Sequence, residues 1–337
     1  MAGSAHRRLR ATALAGAVAV VISLSLICGN TLSTPAQVLH ALAGGGDPLT
    51  RAVILELRLP RLLNALGVGS LLALTGVALQ ALFRNPLADP YILGVSGGAA
   101  VGAICAMAAG LAAFAVQGAA AAGAMFTLVL VWALARQAGT TRVLLTGVAV
   151  ASVCGALVTL VLTSTDESRV RSMVFWLAGD LAWDTHPALG LGVAAAALAG
   201  AVVLARPLNV LAAGDLRARS VGLDVTVWRA LVYGIAAVLT ALAVVSAGTI
   251  GFVGLITPHF ARLLFRTHDH RIVAPAAAVL GGTLLALADL VARTVAAPRQ
   301  LPVGAIMAVT GTPLFLVLLR SAHNGGRRRH AVASGGL

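Results

Sequence analysis

The chain contains no lysine and few charged or aromatic residues. Of its 337 residues, 10% are charged and 4% aromatic, whereas 59% are hydrophobic. A soluble domain carries roughly 25% charged residues. Without lysine the chain cannot form a phosphate-binding loop of the G-x-x-x-x-G-K-[ST] type, because that loop needs the lysine amine on the nucleotide phosphates. The composition therefore predicts a polytopic membrane protein that does not itself bind ATP.

Cysteine is scarce as well. Cys28, Cys105 and Cys154 each lie within an apolar run, where a cysteine behaves as a small buried hydrophobe. We therefore predict neither a disulfide nor a metal site. All 24 basic residues are arginine and the formal net charge is +13, but no basic stretch is long or interleaved with aromatic residues. Nucleic-acid binding is therefore not expected.

Ten apolar runs are long enough, to within a few residues, to cross a bilayer as helices, which takes about 20 residues each. They cover residues 11–29, 62–83, 92–111, 115–135, 142–163, 188–205, 229–247, 250–266, 272–292 and 302–320. The first run resembles a signal peptide, but the many further spans favour an uncleaved first helix. We predict an all-α fold with ten transmembrane helices.

The distribution of arginine predicts which side faces the cytoplasm. With the N-terminus inside, 17 of the 24 arginines fall in the inside segments. Because cytoplasmic loops carry the excess of arginine, both termini are predicted to be cytoplasmic. Residues 1–320 then form one transmembrane domain. Residues 321–337 form a basic, glycine-rich tail that we expect to be disordered.

Two segments on the predicted cytoplasmic side interrupt the apolar pattern. "FRNPLADPYILGVSGGAAVGA" (83–103) ends one span with two prolines and begins the next with glycine. Non-helical backbone at this depth must be buried in protein or face water, so the segment is either a tight structural loop or the inner mouth of a pathway. Loop 206–228 is polar, and Gly214 and Gly222 bracket one or two predicted helical turns.

The spans hold few groups that could carry a proton or perform chemistry. Asp289 lies near the outer end of the ninth span and His259 near the inner end of the eighth, whereas proton-coupled carriers usually place acids or histidines within their spans. His268 and His270 resemble a metal-binding pair only superficially, and no nucleophile–base–acid set stands out, so we assign no catalytic residue. Uncharged polar residues of the spans, Gln80 among them, either hydrogen-bond neighbouring helices or line a pore.

Three long motifs occur in series along the chain: "LRLPRLLNALGVGSLLALTGVALQALFRNPLADPYILGVSGGAAVGA" (57–103), "SAGTIGFVGLITPHFARLL" (246–264) and "LADLVARTVAAPRQLPVGAIMAVTGTPLFLVLL" (287–319). They resemble the signatures of the FecCD family, the permease subunits of binding-protein-dependent ABC importers for siderophore-bound iron, haem and vitamin B12. The resemblance covers roughly residues 50–320. It implies a fold of the type II ABC importer permease and a location in the bacterial inner membrane.

The resemblance also implies partners. The permease would be a homodimer, or a heterodimer with a paralogous permease, with the pathway at the interface. Two separate ATP-binding subunits would hold ATP and Mg²⁺, so this chain would bind no cofactor. A periplasmic binding protein would deliver the solute from outside.

The resemblance also implies an inner gate at the NPLA motif. In that family its Asn, here Asn85, belongs to the gate together with hydroxyl residues of the loop between helices four and five. Thr140 and Thr141 occupy that position in this sequence. With Gln80 they form the candidate gate and pathway.

Loop 206–228 resembles the family's coupling segment, which sits in a cleft of the ATPase. Its candidate residues are Gly214, Asp215, Arg217, Arg219 and Gly222. A short rigid helix between glycines can transmit a push as a rigid body. Arg217 and Arg219 could pair with acids of the ATPase, although the ordinary excess of arginine on the inside explains them equally well.

Three arginines lie at the outer ends of the second and ninth spans: Arg58, Arg61 and Arg293. The resemblance implies that they form a basic rim that receives acidic residues of the binding protein. The alternative is that they are anchors at the lipid headgroups, or that they pair locally with Glu56 and Asp289.

The expected function is import of a metal chelate, with iron–siderophore ranked ahead of haem and cobalamin. A self-contained secondary transporter and a membrane enzyme are the alternatives. The ATP-driven importer and the secondary transporter differ in whether uptake stops on ATP depletion or on collapse of the proton gradient.

Overall fold

The computed structural model describes residues 2–29, 31–135, 140–182 and 186–317. Every regular element in these ranges is a helix, so the all-α prediction is confirmed. The helices are α1 (Ala2–Ile27), α2 (Pro35–Leu42), α3 (Pro48–Ala52), α4 (Leu59–Phe83), α5 (Val95–Ala108), α6 (Ala113–Ala135), α7 (Thr140–Thr163), α8 (Glu167–Leu177), α9 (Pro187–Val203), α10 (Ala205–Ala212), α11 (Asp215–Ser220), α12 (Val225–Ala247), α13 (Val253–Phe265), α14 (His270–Thr294) and α15 (Val303–Val317). A π-helix (Val53–Arg58) joins α3 to α4, and a 3₁₀ helix (Pro90–Leu93) precedes α5.

Each predicted apolar run coincides with one helix, but the helices differ in length. Within the described ranges, six are long and apolar enough to cross a membrane. Helices α9 and α10 pass the same test together, although they are bent by 60° at their junction. Helices α5, α13 and α15 are apolar but shorter. The structure therefore shows six or seven helices of spanning length. The ten crossings and the cytoplasmic placement of both termini remain predictions, and the tail 321–337 lies outside the described residues.

Helix α4 is the centre of the bundle. It packs against α9, α12, α13 and α14, and the most apolar stretch of its span is 83% buried, compared with 11% for that of α7. The contacts are close because glycines form them. A Cβ on Gly69 would lie 2.3 Å from the carbonyl oxygen of Gly281, and one on Gly76 would lie 1.9 Å from that of Gly254. Small residues let membrane helices approach in this way.

Helices α5, α6 and α7 pack beside this centre and form part of the outer surface. Large apolar side chains on α6 and α7 point outward, including Phe114 (77% exposed) and Leu145 (64% exposed). An extended apolar exterior marks contact with a membrane or with another protein. Both fit the predicted bilayer location.

The segment between α4 and α5 turns back along α4. A Cβ on Gly254 would lie 2.6 Å from Pro90 Cδ and 2.8 Å from the carbonyl oxygen of Leu72. Pro90 therefore lies beside the middle of α4, since Leu72 precedes Phe83 by about 16 Å of helix. We name residues 84–94 the re-entrant segment. The sequence predicted only a turn at the end of the span and not this return.

Candidate functional site

The predicted functional residues fall into two groups at opposite ends of α4. Arg58 and Arg61 lie at its beginning, and the first residues of the re-entrant segment, with α11, lie at its end. We name these the Arg58 end and the α11 end. The 25 residues of α4 separate them by about 37 Å of helix.

At the α11 end, short-range hydrogen bonds hold the re-entrant segment. Arg84 ends α4 with a left-handed backbone, φ 50°. The exposed Asn85 side chain accepts a hydrogen bond at 2.9 Å from the backbone N–H of Leu87 through Oδ1, as in an Asx turn. Asp89 accepts one at 2.9 Å from the N–H of Tyr91. The amide nitrogen of Asn85 has no partner among the described residues, so it remains available as a donor.

Gln80 joins two helices. Its buried Nε2 donates to the carbonyl oxygens of Gly254 (3.3 Å) and Leu255 (3.2 Å). Its Oε1 accepts from Arg262 at 2.5 Å. The helix–helix hydrogen bonds that the sequence allowed for Gln80 are therefore present between α4 and α13. A role of this residue in the pathway remains a prediction.

Thr140 and Thr141 begin α7, but their side chains lie outside the described part of the chain. The α7 backbone does reach the re-entrant segment. Gly94 has φ +74°, and a Cβ there would lie 3.0 Å from the carbonyl oxygen of Gly147 on α7. The proximity of the two threonines to Asn85 remains a prediction.

Helix α11 has the form predicted for the coupling segment. Its six residues are bracketed by Gly214 (φ +108°) and Gly222 (φ +81°). Backbone in this left-handed range favours glycine, because a side chain there is strained. Arg217 and Arg219 are exposed, and no described residue forms an ion pair with either. Both are therefore free to meet a partner on this surface.

Asp215 connects α11 to two other elements. Its two carboxylate oxygens accept hydrogen bonds from Arg229 Nη2 on α12 at 2.8 and 2.9 Å. On another side, Arg84 Nη2 lies 3.3 Å from Oδ1. The sequence singled out Asp215 but neither partner. No local pattern could have identified Arg84, because it stands in a different motif far away in the chain.

A cavity of about 740 Å³ opens beside the beginning of α11, between the end of α4, α10 and α13, with Arg84, Ala213 and Asp269 in its wall. Asp269 precedes α14 and accepts hydrogen bonds from the N–H of Arg271 and from Asn209 Nδ2 on α10. The backbone bond from Arg271, followed by the bond from Asn209, holds the pKa of the Asp269 carboxyl below its ordinary value. These bonds fix the α13–α14 loop against α10. The α11 end is therefore concave, and charged and polar residues contribute to its wall.

At the Arg58 end the predicted basic rim is not exposed. Arg58 is 4% exposed, and its Nη1 donates to the carbonyl oxygens of Leu26 (2.7 Å) and Ile27 (2.9 Å). Its Nη2 donates to the carbonyl oxygen of Thr31 at 2.5 Å. Arg58 is buried because it satisfies carbonyl groups at the end of α1, where a cation is favourable.

Arg61 and Arg293 are buried as well and share one carboxylate. Arg61 Nε lies 2.6 Å from Asp289 Oδ1, and Arg293 Nε lies 2.9 Å from Asp289 Oδ2. Of the local pairing with Glu56 and Asp289 that the sequence left open, the Asp289 part is present for Arg61 and Arg293, whereas no described residue forms an ion pair with Glu56. An exposed rim built of Arg58, Arg61 and Arg293 is contradicted by their burial. Docking of a binding protein at this end remains a prediction.

Residues 17–321 match the model of the FecCD transport family. The chain belongs to this family. It is 44% identical over 284 residues to the cobalamin import system permease protein BtuC of Halobacterium salinarum, covering 82% of this chain and 75% of the relative. It is 37% identical over 310 residues to the vitamin B12 import system permease protein BtuC of Escherichia coli K12, covering 88% and 95%.

A solved structure of a metal-chelate type ABC transporter in an inward-facing conformation has the same fold. It superposes with a TM-score of 0.82 at 32% sequence identity, covering 92% of this chain and 98% of that one. PsaBC from Streptococcus pneumoniae, at 17% identity and a TM-score of 0.58, shares the fold alone. This FecCD protein is thus a multi-pass permease of an ABC importer of the metal-chelate and vitamin B12 type.

Proposed function

We propose that the protein carries a metal chelate inward across the bacterial inner membrane, driven by ATP hydrolysis on separate subunits. The observation that carries this proposal is the arrangement at the α11 end. A short helix between two positive-φ glycines exposes Arg217 and Arg219, and it lies against the segment that holds Asn85. A partner that moves α11 would therefore act next to the candidate gate.

Cobalamin is the first candidate for the solute. The sequence alone favours an iron–siderophore as the solute, but the similar permeases described above are named for cobalamin and vitamin B12. A ferric siderophore and haem follow. All three are large chelates, so a pathway between two permease copies suits them better than one within a single bundle. We accordingly propose a homodimer, or a heterodimer with a paralogous permease, in which α7 and its exposed apolar face meet the second copy.

Two ATP-binding subunits would dock at the α11 end, with α11 and the adjacent cavity as their contact. ATP and Mg²⁺ would belong to those subunits. A periplasmic binding protein would dock at the Arg58 end. The ten helices would all cross the membrane, with both termini in the cytoplasm.

The alternative of a secondary transporter has a specific weakness. Proton-coupled carriers usually place an acid or a histidine within the membrane to take up and release the proton. Both carboxylate oxygens of Asp289, the buried acid of α14, are occupied by arginine side chains. This acid therefore serves the contact between α4 and α14.

Uptake by cells that express the permease with its neighbouring subunits tests the proposal. Labelled cobalamin, a ferric siderophore and haem are supplied in parallel. We expect uptake of one chelate, cobalamin first, that stops on ATP depletion and persists when the proton gradient is collapsed. Uptake that stops with the gradient while ATP remains high would instead establish a secondary transporter.

A further inference from the structure

We propose that Asp215 transmits movement of α11 to the re-entrant segment through its ion pair with Arg84. The inference rests on the proposed function, because it assumes that a partner moves α11. It assigns to Arg84 a positioning role that none of the sequence motifs indicated.

The geometry makes Asp215 a junction of three elements. It is the first residue of α11, and the two hydrogen bonds from Arg229 attach it to α12. Arg84 approaches from the end of α4, with Nη2 3.3 Å from Oδ1. A Cβ on Gly214 would lie 3.4 Å from Arg84 Nη1, so the arginine also lies in contact range of the backbone at the beginning of α11.

The position of Arg84 in the chain determines which part of the backbone a movement of this contact would affect. Arg84 is the residue between the last turn of α4 and Asn85, and it adopts φ 50°. A left-handed residue that is not glycine is held in place by its surroundings. Displacement of its guanidinium would therefore act on the backbone directly before Asn85.

The pair is suited to transmission more than to stability. The side chains of Arg84 and Asp215 are 44% and 34% exposed, and ion pairs this exposed contribute little to stability. Two guanidinium groups share the one carboxylate. Without its charge, Arg84 and Arg229 would repel each other, and the re-entrant segment would lose its attraction to α11.

The chain supplies a matched control for Arg84. Arg266 ends α13 with φ 48°, as Arg84 ends α4 with φ 50°. Arg266 is also exposed, but it forms no ion pair with any described residue. Replacing Arg266 removes an arginine with the same backbone geometry without affecting Asp215.

The test compares Arg84→Gln, Arg84→Lys, Asp215→Asn, the double variant Arg84→Gln/Asp215→Asn and Arg266→Gln in the complete complex with its ATPase and binding protein. The quantity measured is solute transported per ATP hydrolysed, with thermal unfolding followed in parallel. We expect Arg84→Gln and Asp215→Asn each to lower this ratio about two- to five-fold, the range that an exposed ion pair supports. The double variant should match Asp215→Asn, because the two residues act through one contact. Arg84→Lys should recover most of the loss, and Arg266→Gln should behave as wild type.

Three results would overturn the inference while the wild-type complex transports normally. In the first, Arg84→Gln transports as much solute per ATP as Arg266→Gln. In the second, the losses of the two single variants multiply in the double variant. In the third, Arg84→Gln or Asp215→Asn lowers the unfolding temperature but leaves the solute transported per ATP unchanged. The last would mean that the pair is only structural. A wild-type complex without ATP-driven transport would instead refute the proposed function itself.

Discussion

Arg61 on α4 and Asp289 on α14 form a buried ion pair, with Nε 2.6 Å from Oδ1. Their side chains are 9% and 2% exposed. Arg293 binds the other carboxylate oxygen one helical turn further along α14. A single carboxylate thus holds the two most closely packed helices of the bundle together at the Arg58 end.

Replacing this carboxylate should destabilise the protein strongly. Asp289→Asn leaves the buried guanidinium of Arg293 without a counter-charge and leaves Arg61 with only Asp180, whose Oδ1 lies 3.6 Å from Nη2. Breaking a buried pair in this way costs about 3–5 kcal/mol. Thermal unfolding of the detergent-solubilised protein measures the loss. Asp166→Asn is the control, because Asp166 is exposed and its side chain makes no capping hydrogen bond. Equal unfolding temperatures for the two variants would show that the ion pair does not hold α4 to α14.

The glycine contact between α4 and α13 predicts a second effect on stability. Gly76→Ala places a methyl group where only 1.9 Å separates it from a backbone oxygen, and overpacking of this kind costs about 1–3 kcal/mol or more. Gly234→Ala on α12 meets no atom within 4 Å and should gain up to about 1 kcal/mol, since alanine is the better helix former. The unfolding temperatures of the two variants should move in opposite directions. A stable Gly76→Ala would contradict the close helix approach.

Two substitutions at Asn85 separate a gate from a local turn. Asn85→Asp keeps the Oδ1 acceptor that binds the N–H of Leu87 but removes the amide donor, whereas Asn85→Ala removes both. If the amide closes a narrow passage, both variants should leak solute through reconstituted permease without nucleotide. Leakage by the alanine variant alone would mean that the turn matters and the donor does not. Normal retention by both would make the re-entrant segment a structural loop.

The predicted orientation can be tested by labelling single cysteines. In a background without Cys28, Cys105 and Cys154, we expect Arg217→Cys on α11 to react only from the cytoplasmic side. Leu49→Cys on α3, which is 74% exposed in the native protein, should react only from outside. External labelling at position 217 would reverse the orientation and remove α11 from reach of any cytoplasmic ATPase.

Local features of the sequence predicted the parts of the structure that local physics determines. Apolar runs located the helices, and Gly214 and Gly222 marked the ends of α11 because positive φ favours glycine at each position. Pro86 and Pro90 predicted that a helix ends, but not that the chain returns along α4. That return depends on the space beside Gly254, which lies far away in the sequence.

The charged contacts illustrate the same limit. Arginine on the outer side is uncommon, so a rim was a reasonable expectation for Arg58 and Arg61. Their burial depends on carbonyl groups of α1 and on Asp289 of α14, and no sequence spacing shows that these come together. The pairing of Arg84 with Asp215 could not be predicted for the same reason.

The most direct test of the account is uptake by proteoliposomes that contain the permease, its ATPase and external binding protein, with no ion gradient across the membrane. We predict accumulation of the chelate when ATP is enclosed with the ATPase. Accumulation should cease when the phosphate-binding lysine of the ATPase is replaced. Uptake that continues with that inactive ATPase, or that appears only when an ion gradient is imposed, would contradict the assignment of this chain as a permease driven by a separate ATPase.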